Sequence, residues 1–408
     1  MFEDLYLNSR QFINKNNLSY KRYFIENNKL SHRLSIIQGA RGVGKTTTIA
    51  QYASVYNLDE VLYISLDDVF FDASYKIIDI ADYFEKNGGK LLCLDEIHKY
   101  TNWSQELKNI YDRYDSLKLI VSGSSAMHIH LGSYDLSRRA VIYTMEGMSF
   151  REFLNMHYGY SFSPYLLSDI LDSHTAIAEF IINSLKDKKI LPLFKNYLQY
   201  GYYPYSYHMD NKDDFFKTLS QSINTSIESD LLSIHPNLSG TSINKIKRLL
   251  SAVMYSVPFK PNISELQKIL DIKDSRTLKE YLSYLDDAGI IKLLMANNLS
   301  YKNLDKPEKI YIANTNIMNI VNADIGNIRE TFFFNQLSNY YKIDGKNYGI
   351  YGSRQGDFIC EEKYVFEIGG KNKDFNQIKN IENSFLALDD IEYGYNKKIP
   401  LWIFGFLY

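Results

Sequence analysis

A glycine-rich loop pattern near the N-terminus constrains the fold of this chain more than any other feature. The segment RLSIIQGARGVGKTTTIAQYA, residues 33–53, contains an apolar strand pattern, then Gly39-x-x-x-x-Gly44-Lys45-Thr46, and then a helical pattern. A strand before and a helix after are the context that separates a phosphate-binding loop (P-loop) from a chance match. Such a loop presents backbone N–H groups to phosphates at a helix N-terminus. The chain is therefore predicted to contain an α/β nucleotide-binding core.

The residues of this loop predict ATP and Mg²⁺ as ligands. The ammonium group of Lys45 is expected to reach the β- and γ-phosphates, and the hydroxyl group of Thr46 is expected to bind Mg²⁺. Lys45 is therefore both a binding and a catalytic candidate. The predicted ATP-binding residues are Gly39, Ala40, Arg41, Gly42, Val43, Gly44, Lys45, Thr46 and Thr47.

Two carboxylates follow the next buried strand pattern, KLLCLDEIHKY at 90–100. A short continuous apolar run of this kind is typical of a strand in a parallel sheet. Asp95 is predicted to support Mg²⁺ together with Thr46, and Glu96 is predicted to orient or activate the water that attacks the γ-phosphate. The pattern is specific because it follows a P-loop.

Two further groups of side chains are candidates for contact with the γ-phosphate. The strand pattern KLIVSGSSA ends in hydroxyl groups, so Ser122 or Ser124 is expected either to lie beside the γ-phosphate, where Ser124 would be catalytic, or to cap the following helix. In DLSRRAVIYTM, Arg138 and Arg139 precede another strand pattern. Arg139 is expected to reach the nucleotide of a neighbouring subunit as an arginine finger, or to pair with an acidic neighbour at the surface.

Composition limits the other functions open to the chain. At 408 residues it is expected to form about two to four domains. The net charge of −2 excludes a protein that coats nucleic acid with its whole surface, so any DNA contact needs a local patch. Cys93 and Cys360 lie far apart in apolar runs, which is typical of a reducing compartment. With neither a signal peptide pattern nor a membrane-length apolar run, we predict a cytoplasmic protein without a membrane partner.

A series of motifs along the chain resembles, in the same order, the motifs of bacterial and archaeal AAA+ ATPases that carry an uncharacterised C-terminal extension. These motifs are GARGVGKTT, LDEIHKYTNW, SGSSA, LSRRA and MSFREFL. In that family the fourth motif ends in an arginine, which falls on Arg139. The segment YLQYGYYP is similar to the family's Gly-Gly-aromatic-Pro signature, but Tyr202 stands in place of the second glycine. The resemblance implies an ATPase core at 1–150, a helical lid at 151–238, a winged helix at 239–305 and a nuclease-like domain at 306–408.

Residues 239–305 carry the pattern of a winged helix. SINKIKRLLSAVMYS, ISELQKIL and DSRTLKEYLSYLDDAGII predict three helices, and IKLLMANN predicts a strand that leads into a polar loop. The third helix of such a domain enters the major groove of DNA in many proteins. Arg276 and Lys279 lie early in this helix and are the predicted DNA contacts. The alternative is a winged helix that packs against protein.

The C-terminal quarter resembles a restriction-endonuclease-like PD-(D/E)xK domain. GNIRETFFFNQLSNYY predicts a helix, YGIYGSRQGDFIC two short strands, KYVFEIGGK a strand, FNQIKNIENSFLALD a helix and IPLWIFGF a buried strand. Mapped by motif, Glu330, Asp357 and Glu367 take the acidic positions of a nuclease site. The fold class predicted for the whole chain is therefore α/β: a P-loop AAA+ parallel-sheet core, a helical lid, a winged helix and a mixed α/β C-terminal domain.

The lysine of this motif is displaced in the sequence. The position two residues past Glu367 is Gly369, and the candidate lysine, Lys371, would lie about 13 Å from Glu367 along a straight strand. Consecutive glycines permit a kink that shortens this distance. Three interpretations remain open: an active metal-dependent nuclease, a nuclease-like domain that binds nucleic acid or a partner without cutting, or another fold with solvated carboxylates.

Two hypotheses for the whole chain follow from these patterns. The first is an ATP-driven switch that engages DNA, with cleavage as an added activity of the C-terminal domain. The second is a signalling ATPase whose C-terminal half binds a protein partner and no nucleic acid. Under either hypothesis, an arginine finger supplied by a neighbouring subunit would require an oligomer.

Overall fold

A computed structural model of the protein describes residues 2–68, 76–124, 136–256, 262–295, 307–321, 323–345 and 349–408. The chain divides into two compact units: the first is Met1–Glu146 with Glu228–Leu238, and the second is Gly147–Ile227 with Ser239–Tyr408. Within the described residues, no helix is both long and apolar enough to cross a membrane.

The first unit is built on a five-stranded sheet whose neighbouring strands are all parallel. The three central strands are buried along nearly their whole length, as their apolar sequences require in a sheet covered on both faces. The strand order is β2-β3-β4-β1-β5. The strands are β1 (Leu34–Gly39), β2 (Val61–Ser65), β3 (Leu91–Asp95), β4 (Lys118–Ser124) and β5 (Ala140–Thr144).

Helices cover this sheet. The helix after the P-loop begins at Lys45 because Gly44 adopts φ +100°, a left-handed conformation that glycine tolerates without steric cost. A short segment distant in sequence returns to this unit and adds one more helix. The helices of the first unit are α1 (Phe2–Asn16), α2 (Tyr23–Asn27), α3 (Lys45–Ala53), α4 (Ile77–Lys86), α5 (Trp103–Arg113) and α10 (Leu231–Ile234).

The second unit begins with a helical region and an aromatic core. Its first helix starts at a capping box in which Ser149 and Glu152 satisfy each other's backbone N–H groups. Phe150, on that helix, packs against other buried aromatic rings of the unit, including Phe194 and Phe406. The helices are α6 (Phe150–Tyr158), α7 (Leu167–Ser184), α8 (Ile190–Asn196), α9 (Lys212–Thr225), α11 (Gly240–Met254), α12 (Ile263–Leu270), α13 (Ser275–Asp287), α14 (Thr315–Met318) and α15 (Ile325–Ile343).

Tyr202, which replaces a glycine of the resembled signature, lies against another glycine. A Cβ atom added to Gly147 would lie 2.2 Å from the ring of Tyr202. The backbone carbonyl of Tyr202 accepts a hydrogen bond from the N–H of Met148, and its own N–H donates to the side chain of Asn316. The absence of a side chain at 147 therefore gives the Tyr202 ring its space.

The three helices predicted at 240–289 are present as α11, α12 and α13. They are followed by β6 (Ile291–Leu294) and β7 (Lys309–Ile312), which pair in antiparallel orientation. Residues 296–306, which include the polar loop predicted after the strand, lie outside the described residues. This element order is that of the predicted winged helix, but the four domain boundaries stay a prediction.

The C-terminal region forms a second, mixed sheet. Its strand order is β12-β11-β10-β9-β8, with parallel pairs from β10 to β12 and antiparallel pairs from β8 to β10. The strands are β8 (Ile350–Gly352), β9 (Phe358–Cys360), β10 (Tyr364–Gly369), β11 (Ser384–Leu388) and β12 (Lys398–Pro400). Together the two sheets confirm the predicted α/β class, with a parallel core and a mixed C-terminal region.

Two local predictions in this region were wrong. The segment predicted as a helix, FNQIKNIENSFLALD, consists of turns and then strand β11, because its apolar run pairs with β10 in the sheet interior. The segment IPLWIFGF is not one strand: β12 ends at Pro400 and a buried 3₁₀ helix, Leu401–Phe406, follows. Short apolar runs fit a buried helix and a buried strand equally well, so periodicity alone did not separate them.

Candidate nucleotide site and C-terminal carboxylate cluster

The P-loop connects β1 to α3 and holds its lysine in a buried position. Lys45 is 5% exposed, and its Nζ donates hydrogen bonds to the backbone carbonyls of Gly39 (2.9 Å) and Ala40 (3.2 Å). Burial lowers the pKa of Lys45, while the negative charges of Glu96 and Asp95 act in the opposite direction. The ammonium group therefore lies inside the loop, close to two carboxylates.

Asp95, at the end of β3, is held by three hydroxyl groups. Thr46 Oγ1 and Tyr63 OH each donate to Asp95 Oδ2 at 2.8 Å, and the hydroxyl of Ser122 donates to Oδ1. Burial and the adjacent Asp95 raise the pKa of Tyr63, so its hydroxyl remains a donor at neutral pH. The structure thus brings together the two residues predicted for Mg²⁺, and a hydroxyl beside a carboxylate is a donor set that suits this ion.

Glu96 follows β3 in an unusual backbone conformation, with φ +54°. Its N–H faces Asp95 Oδ1 (3.2 Å) and Ser122 Oγ (3.3 Å). Its carboxylate Oε2 lies 3.4 Å from Nε2 of the buried His98, and the other ring nitrogen of His98 accepts from the N–H of Ser124 at 3.4 Å. Ser122 therefore contacts Asp95 directly, whereas Ser124 is linked to Glu96 through His98.

A buried carboxylate from a distant part of the chain completes this cluster. Asp230 is 1% exposed, and its Oδ1 lies 3.1 Å from Arg41 Nη2, 3.2 Å from Lys99 Nζ and 3.5 Å from His98 Nε2. Burial would raise the pKa of Asp230, but the nearby His98 and the hydrogen bonds and positive charge of Arg41 outweigh burial and hold it well below its usual range. Asp230 is thus an anion that joins the P-loop to the segment after Glu96.

Three residues of this cluster escaped the sequence analysis. Tyr63 lies in the middle of β2, the strand beside β3, so the parallel register of β2 and β3 was a usable signal. Lys99 was visible only as a basic residue after the two carboxylates. Asp230 lies 189 positions from Arg41, and no motif marks it.

Arg139, the candidate arginine finger, is paired within its own unit. Its Nε and Nη2 atoms donate to the two carboxylate oxygens of Asp112 at 2.7 and 2.8 Å. Arg138 is exposed. The pairing is the surface alternative that the sequence allowed, and the role of Arg139 towards a neighbouring subunit stays a prediction.

Comparison with known families agrees with this geometry. A family model described as an AAA domain matches residues 31–154. We call residues 31–154 the AAA domain after this similarity. A second model, a domain of unknown function (DUF8612), matches residues 191–327. This second match crosses the predicted boundaries at 238 and 305.

Two similar proteins come from an archaeon and are described as uncharacterised. The protein MJ1637 of Methanocaldococcus jannaschii is 28% identical over 320 residues, which cover 74% of this chain and 56% of that protein. MJ1544 of the same organism is 21% identical over 412 residues, which cover 96% of this chain and 86% of that protein. The present chain therefore corresponds to little more than half the length of MJ1637.

Solved structures that are similar to this chain include a complex with DNA and a complex with AMPPCP. The Aeropyrum pernix ORC1 protein in complex with DNA is 13% identical, with coverage of 78% of this chain and 91% of that chain and a TM-score of 0.31. AMPPCP-bound DnaA from Aquifex aeolicus is 12% identical, with coverage of 70% and 88% and a TM-score of 0.23.

Outside the AAA domain, α13 presents a basic surface. Arg276 and Lys279, three residues apart on the helix, are exposed on one side of its start, and the exposed Lys273 lies just before the helix. The side chains of Arg276 and Lys279 have no ion pair with any residue that the structure describes. The exposed Glu280 follows them directly, so the positive surface is narrow.

The C-terminal carboxylates lie within electrostatic range of one another. Burial, and then the negative charge of Glu330, raises the pKa of Asp357 to about 6, and Glu367 adds to this effect. The Oδ2 atom of Asp357 accepts a hydrogen bond from the N–H of Ile368 at 2.7 Å. Glu330 Oε2 accepts from the hydroxyl of Tyr311 at 3.0 Å. The three acidic residues that the motif identified therefore lie in one region of the second unit.

The lysine beside Glu367 is Lys373 and not Lys371. Lys373 Nζ lies 2.5 Å from Glu367 Oε1, while Lys371 Nζ lies 3.6 Å from Asp390 in a pair whose side chains are about 60% exposed. Sequence reasoning missed Lys373 because it extended the strand beyond its end at Gly369. The turn that follows brings the later lysine back.

These carboxylates do not fit a preformed metal site. Each of them is engaged by protein donors: Glu367 by Lys373, Asp357 by a backbone N–H, and Glu330 by Tyr311 and by Lys309 Nζ at 3.4 Å. Among the residues that the structure describes, no group of three or more His, Cys, Asp or Glu side chains is arranged to hold a metal ion. We therefore assign no metal-dependent cleavage to this region.

Proposed function

We propose that the protein is an ATP-hydrolysing switch that engages DNA through α13. The observation that carries the ATPase part is the meeting of Lys45, Thr46, Asp95 and Glu96 at one edge of a parallel sheet, with Thr46 Oγ1 2.8 Å from Asp95. Ligands of open α/β sheets bind outside the carboxyl ends of the strands, where β1 ends at Gly39 and leads into the P-loop and β3 ends at Asp95.

Each residue has a distinct role in this proposal. Lys45 places its charge on the β- and γ-phosphates, and the loop N–H groups bind the other phosphate oxygens. Thr46 and Asp95 would hold Mg²⁺, which supplies positive charge to the phosphate oxygens when it is bound. Glu96 accepts a hydrogen bond from the attacking water and orients it. Tyr63 and Ser122 keep Asp95 in position through their hydroxyl groups.

The basic residues at the start of α13 and just before it support the DNA part of the proposal. Lys273, Arg276 and Lys279 present three positive charges to solvent, and residues 240–310 carry about twelve Lys and Arg against about eight Asp and Glu. Lysine and arginine contacts to phosphates release condensed counterions, so binding of this kind weakens as salt is added.

ATP hydrolysis is tested with the purified full chain, by phosphate release with Mg²⁺. Lys45→Ala is expected to abolish turnover, while Lys195→Ala, a change at an exposed lysine on α8, is expected to leave it unchanged. Wild-type protein that neither binds nor hydrolyses ATP would refute the ATPase role.

DNA engagement is tested by fluorescence anisotropy with a labelled duplex between about 50 and 200 mM salt. Arg276→Glu and Lys279→Glu are each expected to weaken binding and to flatten its salt dependence, and Lys195→Glu serves as the charge-matched control. No binding at the lowest salt concentration, together with salt-insensitive retention of a protein partner, would favour the signalling ATPase instead.

A further inference from the structure

Asp230 lies in a short segment that belongs to a different unit from the residues on either side of it. The segment Glu228–Leu238 belongs to the first unit, although the residues before and after it belong to the second. Within it, Asp230 is the buried carboxylate that contacts Arg41 and Lys99, and the neighbouring Ser229 accepts a hydrogen bond from Lys99 Nζ at 2.6 Å. The segment is therefore attached to the AAA domain through charges that surround the nucleotide site.

The cations around Asp230 come from both sides of that site. Arg41 belongs to the P-loop, where backbone and side chains meet phosphate oxygens, while His98 and Lys99 follow Glu96. A group held between these two segments lies on the side of the P-loop that faces Glu96. The γ-phosphate is expected on that side, because Glu96 orients the water that attacks it.

Arg41 binds carboxylates and phosphates by the same chemistry. Its guanidinium donates from Nη2 to Asp230 Oδ1 at 3.1 Å and from Nε to Oδ2 at 3.4 Å, which is the two-pronged arrangement that phosphate oxygens also accept. A triphosphate brings more negative charge to this position than a diphosphate. The charge of Asp230 also acts on Lys45, so the two anions share one set of cations.

We propose that Asp230 and the γ-phosphate of ATP compete for Arg41, so that ATP displaces Asp230 from Arg41 while ADP does not, and the segment Glu228–Leu238 responds to the difference. This inference rests on the proposed binding of ATP by the AAA domain. Asp230 is a positioning residue: it acts on the nucleotide through Arg41 and does not touch the reacting atoms.

A consequence for Glu96 follows from the position of His98. The N–H of Ser124 donates to Nδ1 of His98, so the ring N–H on Nε2 lies between Asp230 (3.5 Å) and Glu96 (3.4 Å). When Asp230 moves away with its segment, Glu96 becomes the only one of these two carboxylates left to accept this N–H. ATP binding would then fix the orientation of Glu96 as well.

The first test measures nucleotide affinity by titration calorimetry on the full chain. Asp230→Asn keeps the shape of the side chain and removes its charge, so the affinity for ATPγS is expected to rise at least about fivefold and the affinity for ADP less than twofold. Asp214→Asn, at an exposed aspartate on α9 that pairs with Lys217, is the control and is expected to change neither affinity. Unchanged or weakened ATPγS binding in Asp230→Asn would overturn the proposal.

The second test needs no variant that might fail to fold. Hydrogen–deuterium exchange of residues 228–238 in the wild-type protein is expected to be faster with ATPγS than with ADP. Equal exchange with both nucleotides, when calorimetry detects both bound, would remove this role of Asp230 and leave the proposed ATPase intact. Absence of binding by either nucleotide would overturn both proposals.

Discussion

Lys373 forms an ion pair with Glu367, with 2.5 Å between Nζ and Oε1, and its aliphatic stem lies over Gly369. A Cβ atom added to Gly369 would lie 2.6 and 2.7 Å from Cβ and Cγ of Lys373. The space that a side chain at 369 would use is therefore taken by a lysine from the turn after the strand. The hydrogen bond to Glu367 raises the pKa of Lys373, with partial burial acting against it.

The two lysines of this turn are expected to differ sharply in their contribution to stability. Lys373→Met leaves Glu367, whose side chain is 4% exposed, without its cation, and should lower the free energy of unfolding by about 3 kcal/mol. Lys371→Met removes only an exposed pair with Asp390 and should cost less than about 1 kcal/mol. Urea denaturation of both variants measures the difference. Equal losses would show that the buried Glu367 does not depend on Lys373.

Asp357 is expected to reduce stability at neutral pH. Burial and Glu330 raise its pKa to about 6, whereas an unfolded aspartate titrates near 3.9, so the folded state binds the proton more tightly between these values. Stability due to this group therefore falls as pH rises from about 4 to about 6, and the loss persists above 6. Asp357→Asn should raise the free energy of unfolding by up to about 3 kcal/mol at pH 7 and by little at pH 4.

Denaturation of Asp357→Asn at a series of pH values measures this effect. Glu382→Gln, at an exposed carboxylate of the same region, is the control and should show no such dependence. If Asp357→Asn raises the free energy of unfolding equally at pH 4 and pH 7, the charge of Asp357 is not the cause of the increase.

The sequence predicted local elements better than it predicted contacts between distant residues. The P-loop, β1 and α3 lie where the motif placed them, because a phosphate-binding loop fixes the strand before it and the helix after it. Strand β11 was mistaken for a helix, because its short apolar run fits either element and only its pairing with β10 identifies it as a strand. Lys373 and Asp230 were missed because their partners are determined by a turn and by tertiary folding, which no local pattern encodes.

The packing of Tyr202 against Gly147 is expected to couple these two positions. Gly147→Ala places a methyl group 2.2 Å from the ring and should cost about 1–3 kcal/mol through overpacking. Tyr202→Gly leaves a cavity and should cost more on its own. In the double variant the methyl group has space, so its cost should be at least about 1 kcal/mol below the sum of the single variants.

Thermal or urea denaturation of the four proteins completes this double-mutant cycle. Gly240→Ala is the matched control, because a Cβ atom there meets no other atom within 4 Å and should change stability little. Additive costs in the cycle would show that the ring of Tyr202 does not depend on the missing side chain at 147.

Glu96 is expected to lower the stability of the fold while it supports ATP turnover. Its φ of +54° is a left-handed conformation that costs a non-glycine residue about 1–2 kcal/mol, and such strain is concentrated at functional sites. Glu96→Gly should therefore match or exceed the wild-type free energy of unfolding while losing ATP turnover. Glu96→Gln keeps the strain and the size of the side chain but cannot act as a base, so kcat should fall about 10²–10⁴-fold with little change in ATP affinity.

Turnover, ATP titration and urea denaturation of both variants measure these effects, with Glu179→Gln on the exposed side of α7 as the control. If Glu96→Gln hydrolyses ATP at the wild-type rate, another group orients the water, and the strained backbone at Glu96 serves only the turn after β3.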